Sequence, residues 1–193
     1  MTQEIEIEFK NLLTKSEFLM LADAFHMMEN DFKHQVNHYF DTKDFSLKQK
    51  KSALRIREKN GAYVLTLKEP AAVGLLETHQ KLAEPDLDGF TIPEGPVKEQ
   101  LTGLGINPDL ICYFGTLTTK RAEKETEKGL IVLDHSRYLN KEDFELEFEA
   151  ADWGEGKRAF EQLLQQFSIP QRITKNKIMR FYEQKQTEGG MTQ

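Results

Sequence analysis

Glu6 and Glu8 stand two residues apart near the start of the chain, and Glu145, Glu147 and Glu149 repeat that spacing further on. In an extended strand successive side chains point to opposite faces, so each set shares one face. Carboxylates crowded at that spacing repel one another unless a cation sits among them. Hard divalent cations take oxygen ligands, and Mg2+ is usually held by one or two carboxylates plus substrate phosphates. The converse pattern occurs at Arg55 and Arg57, which share a face, and at Lys68 in the following segment. Two guanidinium groups at that spacing need an anion, and phosphate is the partner that Arg and Lys suit. Arg121 adds a base on the face of Glu123 and Glu125. An ordinary amphipathic strand also has one wet face. The departure here is clustering of a single sign, repeated on several strands.

The elements that must position these groups follow from periodicity. Strict alternation predicts a strand over 4–10, with Ile5, Ile7 and Phe9 opposite the acids. Thr14 and Glu17 form a capping box that predicts a helix carrying Phe18, Leu21, Ala22 and Phe25 and stopping near Asn30. Strands are expected over 33–42, 52–58, 62–68 and 74–82, with Asn60-Gly61 as a hairpin turn. Pro85, Pro93 and Pro96 interrupt the pattern before a short helix to Leu104. Further strands are expected over 110–117, 118–127, 130–138 and 143–150, with Lys128-Gly129 as a tight turn. An amphipathic helix follows Gly154 and Gly156, anchored by Trp153, and a last helix spans 174–184. Cys112 sits in an apolar strand and is expected to be buried. The sum is an α+β fold: an antiparallel sheet large enough to close as an eight-stranded barrel, with helices packed outside. Closure would turn the charged faces into the bore and the apolar faces outward, under the helices.

A chain of 193 residues favours one domain, expected over 1–186, with the polar residues 187–193 fraying as a tail. The net charge of -6 argues against non-specific nucleic-acid binding. The single cysteine excludes a disulfide framework and a multi-cysteine metal site, and fits a reducing, cytoplasmic setting. There is no run of about 18 apolar residues to span a membrane. Among the five histidines, His34 and His38 are four apart, but on a strand that separates them by about 13 Å. No glycine-rich phosphate loop occurs. Asp41 and Thr42 end a strand and read as turn supports.

Glu6-Ile7-Glu8-Phe9-Lys10 resembles the Glu-x-Glu-x-Lys signature of the CYTH, or triphosphate tunnel metalloenzyme, superfamily. Tyr39-Phe40-Asp41-Thr42, Leu54-Arg55-Ile56-Arg57, Thr66-Leu67-Lys68, Lys120-Arg121, Asp134, Glu145-Leu146-Glu147-Phe148-Glu149 and Lys175/Lys177/Arg180 are similar to its later segments in the same order, over about 4–182. The resemblance implies an eight-stranded tunnel acting on triphosphates with Mg2+ or Mn2+. It implies that Glu6, Glu8, Glu145 and Glu147 hold the metal, with Asp134 near the bore. Lys10, Arg55, Arg57, Lys68 and Arg121 would bind phosphate, and Lys175 or Lys177 would close one end. Glu6, Glu8, Lys10 and Arg57 would carry the catalysis. One departure is His79, which stands where a second carboxylate is expected after Glu77.

The reaction expected is hydrolysis, with inorganic triphosphate as substrate because it needs no organic pocket. Thiamine or nucleoside triphosphate hydrolysis, cyclisation of a nucleotide, and polyphosphate binding without turnover are the alternatives, the last kept open by His79. A lipocalin-like carrier needs an apolar bore, which the Glu and Arg faces speak against. The partner is a small-molecule triphosphate, without nucleic acid or membrane, and the oligomeric state stays open.

Overall fold

The structure is a computed structural model that describes residues 2–189. It is α+β, with nine strands: β1 Gln3–Glu6, β2 Glu8–Leu13, β3 Lys33–Thr42, β4 Ala53–Lys59, β5 Ala62–Pro70, β6 Leu75–Leu82, β7 Ile111–Thr126, β8 Gly129–Tyr138 and β9 Lys141–Glu149. Five α-helices accompany them: α1 Lys15–Ala24, α2 Ser46–Gln49, α3 Pro96–Gly103, α4 Trp153–Gln166 and α5 Lys177–Gly189. Residues 190–193, part of the tail expected to fray, lie outside the described residues.

The chain divides into two compact units. The first comprises the N-terminal residues to Ile5 together with Gln35–Leu117. Its strand order is β1-β6-β5-β4-β3-β7. Asn60 and Gly61 both take positive φ, which fits a tight turn matched to the strand twist. They join β4 and β5 in an antiparallel register that sets Leu54 opposite Leu67 and Ile56 opposite Leu65. These four side chains are fully buried in a core with Phe40, Leu47, Val97 and Leu101. Asp41 has the supporting role expected of it. Its Oδ1 accepts from the Thr42 and Leu47 amides (2.7 and 2.9 Å) and its Oδ2 from the Lys48 amide (3.2 Å), which fixes the short helix α2.

The second unit comprises Glu6–His34 and the chain from Thr118 onward. Its order is β7-β8-β9-β2. Its own core joins Leu13, Phe18, Leu21, Leu133, Leu146, Phe148, Phe160 and Leu164 from strands and helices α1 and α4. Thr14 caps α1 through the expected reciprocal bonds with Glu17. Asp152 caps α4 by accepting from the Glu155 amide at 2.8 Å. Among the described residues no helix is long and apolar enough to cross a membrane.

Several expectations need correction. The strand expected over 4–10 is two strands, and the sheet has nine strands among the described residues where an eight-stranded barrel was expected. The chain changes partner at Ile7: β1 pairs with β6, while β2 pairs with β9. Ile5, on a four-residue strand, is exposed. The segments 110–117 and 118–127 are one strand, since the threonine-rich run Thr116–Thr119 contains no breaker. Helix α1 ends at Ala24, not Asn30. His26 adopts positive φ, and the His26 and Met27 amides donate to the Asp23 and Ala22 carbonyls (3.0 and 2.8 Å), a Schellman stop. The tight turn is Glu127-Lys128, with Gly129 already in β8. Cys112 is exposed because Ile111 takes the buried parity of β7. The last helix begins at Lys177 rather than at residue 174.

Gly156 governs how closely α4 seats on the sheet. A Cβ there would stand 2.5 Å from Ala150 Cβ and 2.8 Å from a Phe9 ring carbon. Gly to Ala inside a helix normally stabilises by about 1 kcal/mol. Gly156→Ala should instead destabilise by about 1–3 kcal/mol, as overpacking does. Urea unfolding measures the sign, and a stabilised variant would contradict this packing.

Candidate metal and phosphate site

Parity places the acids of the second unit together. In the β2–β9 register Glu8 lies opposite Glu149 and Lys10 opposite Glu147. In β8–β9 Asp134 lies opposite Glu145, and in β7–β8 Arg121 lies opposite Asp134. Phe144, Leu146 and Phe148 take the other face and join the core. Two carboxylate groups result. Glu6, Glu8 and Glu149 each present an oxygen within 4.8 Å of the others, and so do Asp134, Glu145 and Glu147.

The second group already has cationic company. Arg121 makes a two-pronged contact with Asp134 (2.8 and 2.6 Å) and reaches Glu147 at 2.5 Å. The Lys177 ammonium bonds Glu145 and Glu147 and lies 2.8 Å from Asp134. Arg180, one turn along α5, bonds Glu145 and lies 3.1 Å from Asp143. Lys10 pairs with Glu8. Helix α5 is aimed by the segment before it: the Arg172 amide donates to Asn11 Oδ1 at 2.6 Å, and the Arg172 guanidinium grips Glu17 at 2.8 and 2.9 Å.

Electrostatics separate the two groups. Burial opposes ionisation of Glu147 and Asp134, yet Arg121 and Lys177 outweigh it, and both lie below their ordinary values, Glu147 far below. Burial raises Glu145, and Lys177 offsets this only in part. Burial opposes the charge on Lys177 and Arg121 as well, but Asp134 and its neighbours hold both well above their ordinary values. Glu149 stands apart. Burial, reinforced by Glu6, pushes it up to about 7. Glu8 of the same group is paired with Lys10, and Arg121 partly offsets the upward push on Glu149. The all-oxygen donors of the group fit Mg2+ or Mn2+.

The first unit carries the bases. Arg55 and Arg57 sit on one face of β4, opposite the buried Leu54 and Ile56. Arg57 Nε donates to Asn37 Oδ1 at 3.0 Å. Arg55 Nε is buried without a hydrogen-bond partner among the described residues, as befits a donor waiting for an anion. Lys68 pairs with Glu77, its cross-strand neighbour. His79 lies two residues beyond Glu77 on the same face, 3.1 Å from Glu4 and 3.4 Å from Glu77.

Of the expected residues, Glu6, Glu8, Lys10, Arg121, Asp134, Glu145, Glu147 and Lys177 converge in the second unit, and Arg55, Arg57 and Lys68 share a face in the first. Lys175 does not join them: it is exposed and pairs with Glu183. Lys177, expected on phosphate, here bonds carboxylates. Sequence reasoning missed Glu149 and Arg180 as site members. The parity of Glu145-x-Glu147-x-Glu149 and the three-residue step from Lys177 to Arg180 were the available signals. A separate cavity of about 500 Å³, lined by Phe18, Met27, Phe32 and Phe144 among others, contains none of these carboxylates.

The CYTH domain family matches residues 4–182. A Bacillus subtilis protein named "Putative triphosphatase YjbK" is 73% identical over 186 residues, covering 96% of this chain and 98% of that protein. The crystal structure of a "putative adenylate cyclase" from Bacillus halodurans is 46% identical, covers 94% of this chain and 100% of its own, and superposes with a TM-score of 0.91. HpAC1 from Hippeastrum, titled as an adenylyl cyclase with a dominant triphosphatase activity, shares the fold at 24% identity and a TM-score of 0.72, over 93% and 96% of the two chains.

The proton on Glu149 makes a testable demand. Its pKa is raised in the fold, so the folded chain holds more protons than the unfolded one between about 4.5 and 7, and stability falls as pH rises through that window. Glu149→Gln should therefore raise the urea midpoint at pH 8 and leave it nearly unchanged at pH 4, in metal-free buffer. Equal effects at both pH values would contradict the assignment.

Proposed function

The chain belongs to the CYTH domain family, and from that premise we propose that it is a metal-dependent hydrolase of triphosphates, with inorganic triphosphate as its substrate. The observation that carries the reading is the all-carboxylate group Glu6, Glu8 and Glu149, whose oxygens lie within 4.8 Å of one another. The name of the 73% identical Bacillus subtilis protein supports hydrolysis.

In this reading the sheet closes into the tunnel and residues 1–186 form one domain. Glu6, Glu8 and Glu149 hold Mg2+ or Mn2+, with Glu145, Glu147 and Asp134 completing the acidic wall. The ion, when bound, supplies Lewis acidity toward phosphate oxygens and lowers the pKa of bound water. Arg55, Arg57 and Lys68 grip the nonbridging oxygens and stabilise charge that moves onto the departing diphosphate. Lys10 and Arg121 flank the acids and complete the clamp. Lys177, at the start of α5, exchanges carboxylate partners for phosphate oxygens when substrate enters. Water attacks the terminal phosphorus, the bond from that phosphorus to its bridging oxygen breaks, diphosphate departs with the electron pair, and the attacked phosphorus is released as orthophosphate with the water's proton lost to solvent. The lone Cys112 fits a cytoplasmic setting.

Tripolyphosphate should be hydrolysed with Mg2+ or Mn2+ and not in excess chelator. Full activity in chelator would rule out this mechanism. Tight metal-dependent binding with no phosphate released from any triphosphate would favour a binding module instead.

The division of labour can be read in chelator by calorimetric titration with tripolyphosphate. Arg57→Ala should weaken binding about 10-fold or more, the size of a lost charge-assisted bond. Glu8→Ala should bind as well as the parent or better, because it removes a charge that repels the anion, yet it should not turn over. Equal losses in both variants would refute the assignment of bases to phosphate and acids to metal.

A further inference from the structure

We propose that Glu4, Glu77 and His79 form a second divalent-metal site, one with mixed nitrogen and oxygen ligands that selects a first-row transition ion over Mg2+. The proposal concerns the first unit alone and does not rest on the triphosphatase reading.

Backbone pairing builds the site. β1 runs beside β6, and the His79 amide donates to the Thr2 carbonyl at 2.7 Å. Glu77 and His79 are two apart on β6 and so share a face. Across the β5–β6 ladder Thr66 lies opposite His79 and Lys68 opposite Glu77. Each of Glu4, Glu77 and His79 offers one ligand atom, and the three atoms lie within 4.8 Å of one another.

The ring of His79 is held in a way suited to ligation. Nδ1 lies 3.0 Å from the hydroxyl of Thr66, a buried residue outside the ligand set. Nε2 lies 3.1 Å from Glu4 Oε1 and 3.4 Å from Glu77 Oε2, and the tautomer that donates from Nδ1 to that hydroxyl is the one that ligates an ion through Nε2. Metal-binding histidines are commonly fixed by such an outer partner on the other ring nitrogen. Lys68 engages Glu77 through Oε1 and so leaves Oε2 turned toward the ring. Glu4 is largely exposed, so an ion and its waters can enter. Imidazole favours transition ions over Mg2+, which distinguishes this donor set from the all-carboxylate groups.

The test is pulsed electron paramagnetic resonance of the whole protein loaded with Mn2+ alone, reading nitrogen coupling to the ion. The parent should show coupling to a single imidazole nitrogen, and His79→Gln should lose it together with one bound Mn2+ per chain. Glu4→Gln, at an exposed position that leaves the fold undisturbed, should weaken that ion's binding. Thr66→Val should weaken it about 10-fold, as loss of an outer-sphere partner does. Glu147→Gln should retain the nitrogen signal. Absence of coupling in the parent, or coupling that survives His79→Gln, would overturn the proposal and leave His79 as a hydrogen-bond partner of the glutamates. A protein that shows the coupling but hydrolyses no triphosphate would uphold this site and count against the proposed function.

Discussion

Taking an ionised carboxylate out of water without a partner costs several kcal/mol, and Asp134, Glu145 and Glu147 are almost wholly shielded from solvent. The second unit meets that cost with Arg121 and Lys177, each bonded to two or more of these acids, and with Arg180, bonded to Glu145. Much of the local architecture serves to bring those cations in. The clasp of Arg172 on Asn11 and Glu17 sets where α5 begins, and α5 carries Lys177 and Arg180. Lys177 stands among three carboxylates much as a metal ion would. That makes the acidic wall a place where one cation can replace another.

The same constraint explains why the apolar faces are so complete. A strand whose one face is filled with charge must find its burial on the other, and Leu146 and Phe148 do so beneath α1 and α4. In the first unit Leu54, Ile56, Leu65 and Leu67 perform that role against α3. Each unit therefore has its own core behind its own charged face. Gly156 matters to chemistry only through this packing: it sets how closely α4 supports the strands that carry Glu8 and Glu147.

Much of this was legible because strand parity is strict. Alternation alone sorted Glu145, Glu147 and Glu149 from Phe144, Leu146 and Phe148, and Arg55 and Arg57 from Leu54 and Ile56. The Asn60-Gly61 turn and the Thr14 cap were legible for the same reason: each is a local rule with a local cause. What escaped the sequence was non-local. Nothing in the spacing of 4–10 says that the chain changes partner at Ile7. Nothing in Lys177 says whether its ammonium will meet phosphate or carboxylate, since that depends on how a distant helix docks. Glu149 was visible on its face but not as a site residue, because its raised pKa comes from burial and from Glu6, both set by how distant strands meet. His79 could be seen as a departure from a family pattern. Its link to Glu4 needed the pairing of β1 with β6.

Anomalous diffraction at the manganese edge, from crystals grown with Mn2+ and a non-hydrolysable triphosphate analogue, tests the central claim most directly. The account predicts a manganese peak bonded to oxygens of Glu6, Glu8 and Glu149 and to the phosphate chain, with Arg55 and Arg57 on the nonbridging oxygens. A phosphate chain bound away from these residues, or no manganese at the carboxylates when the chain is bound, would contradict it.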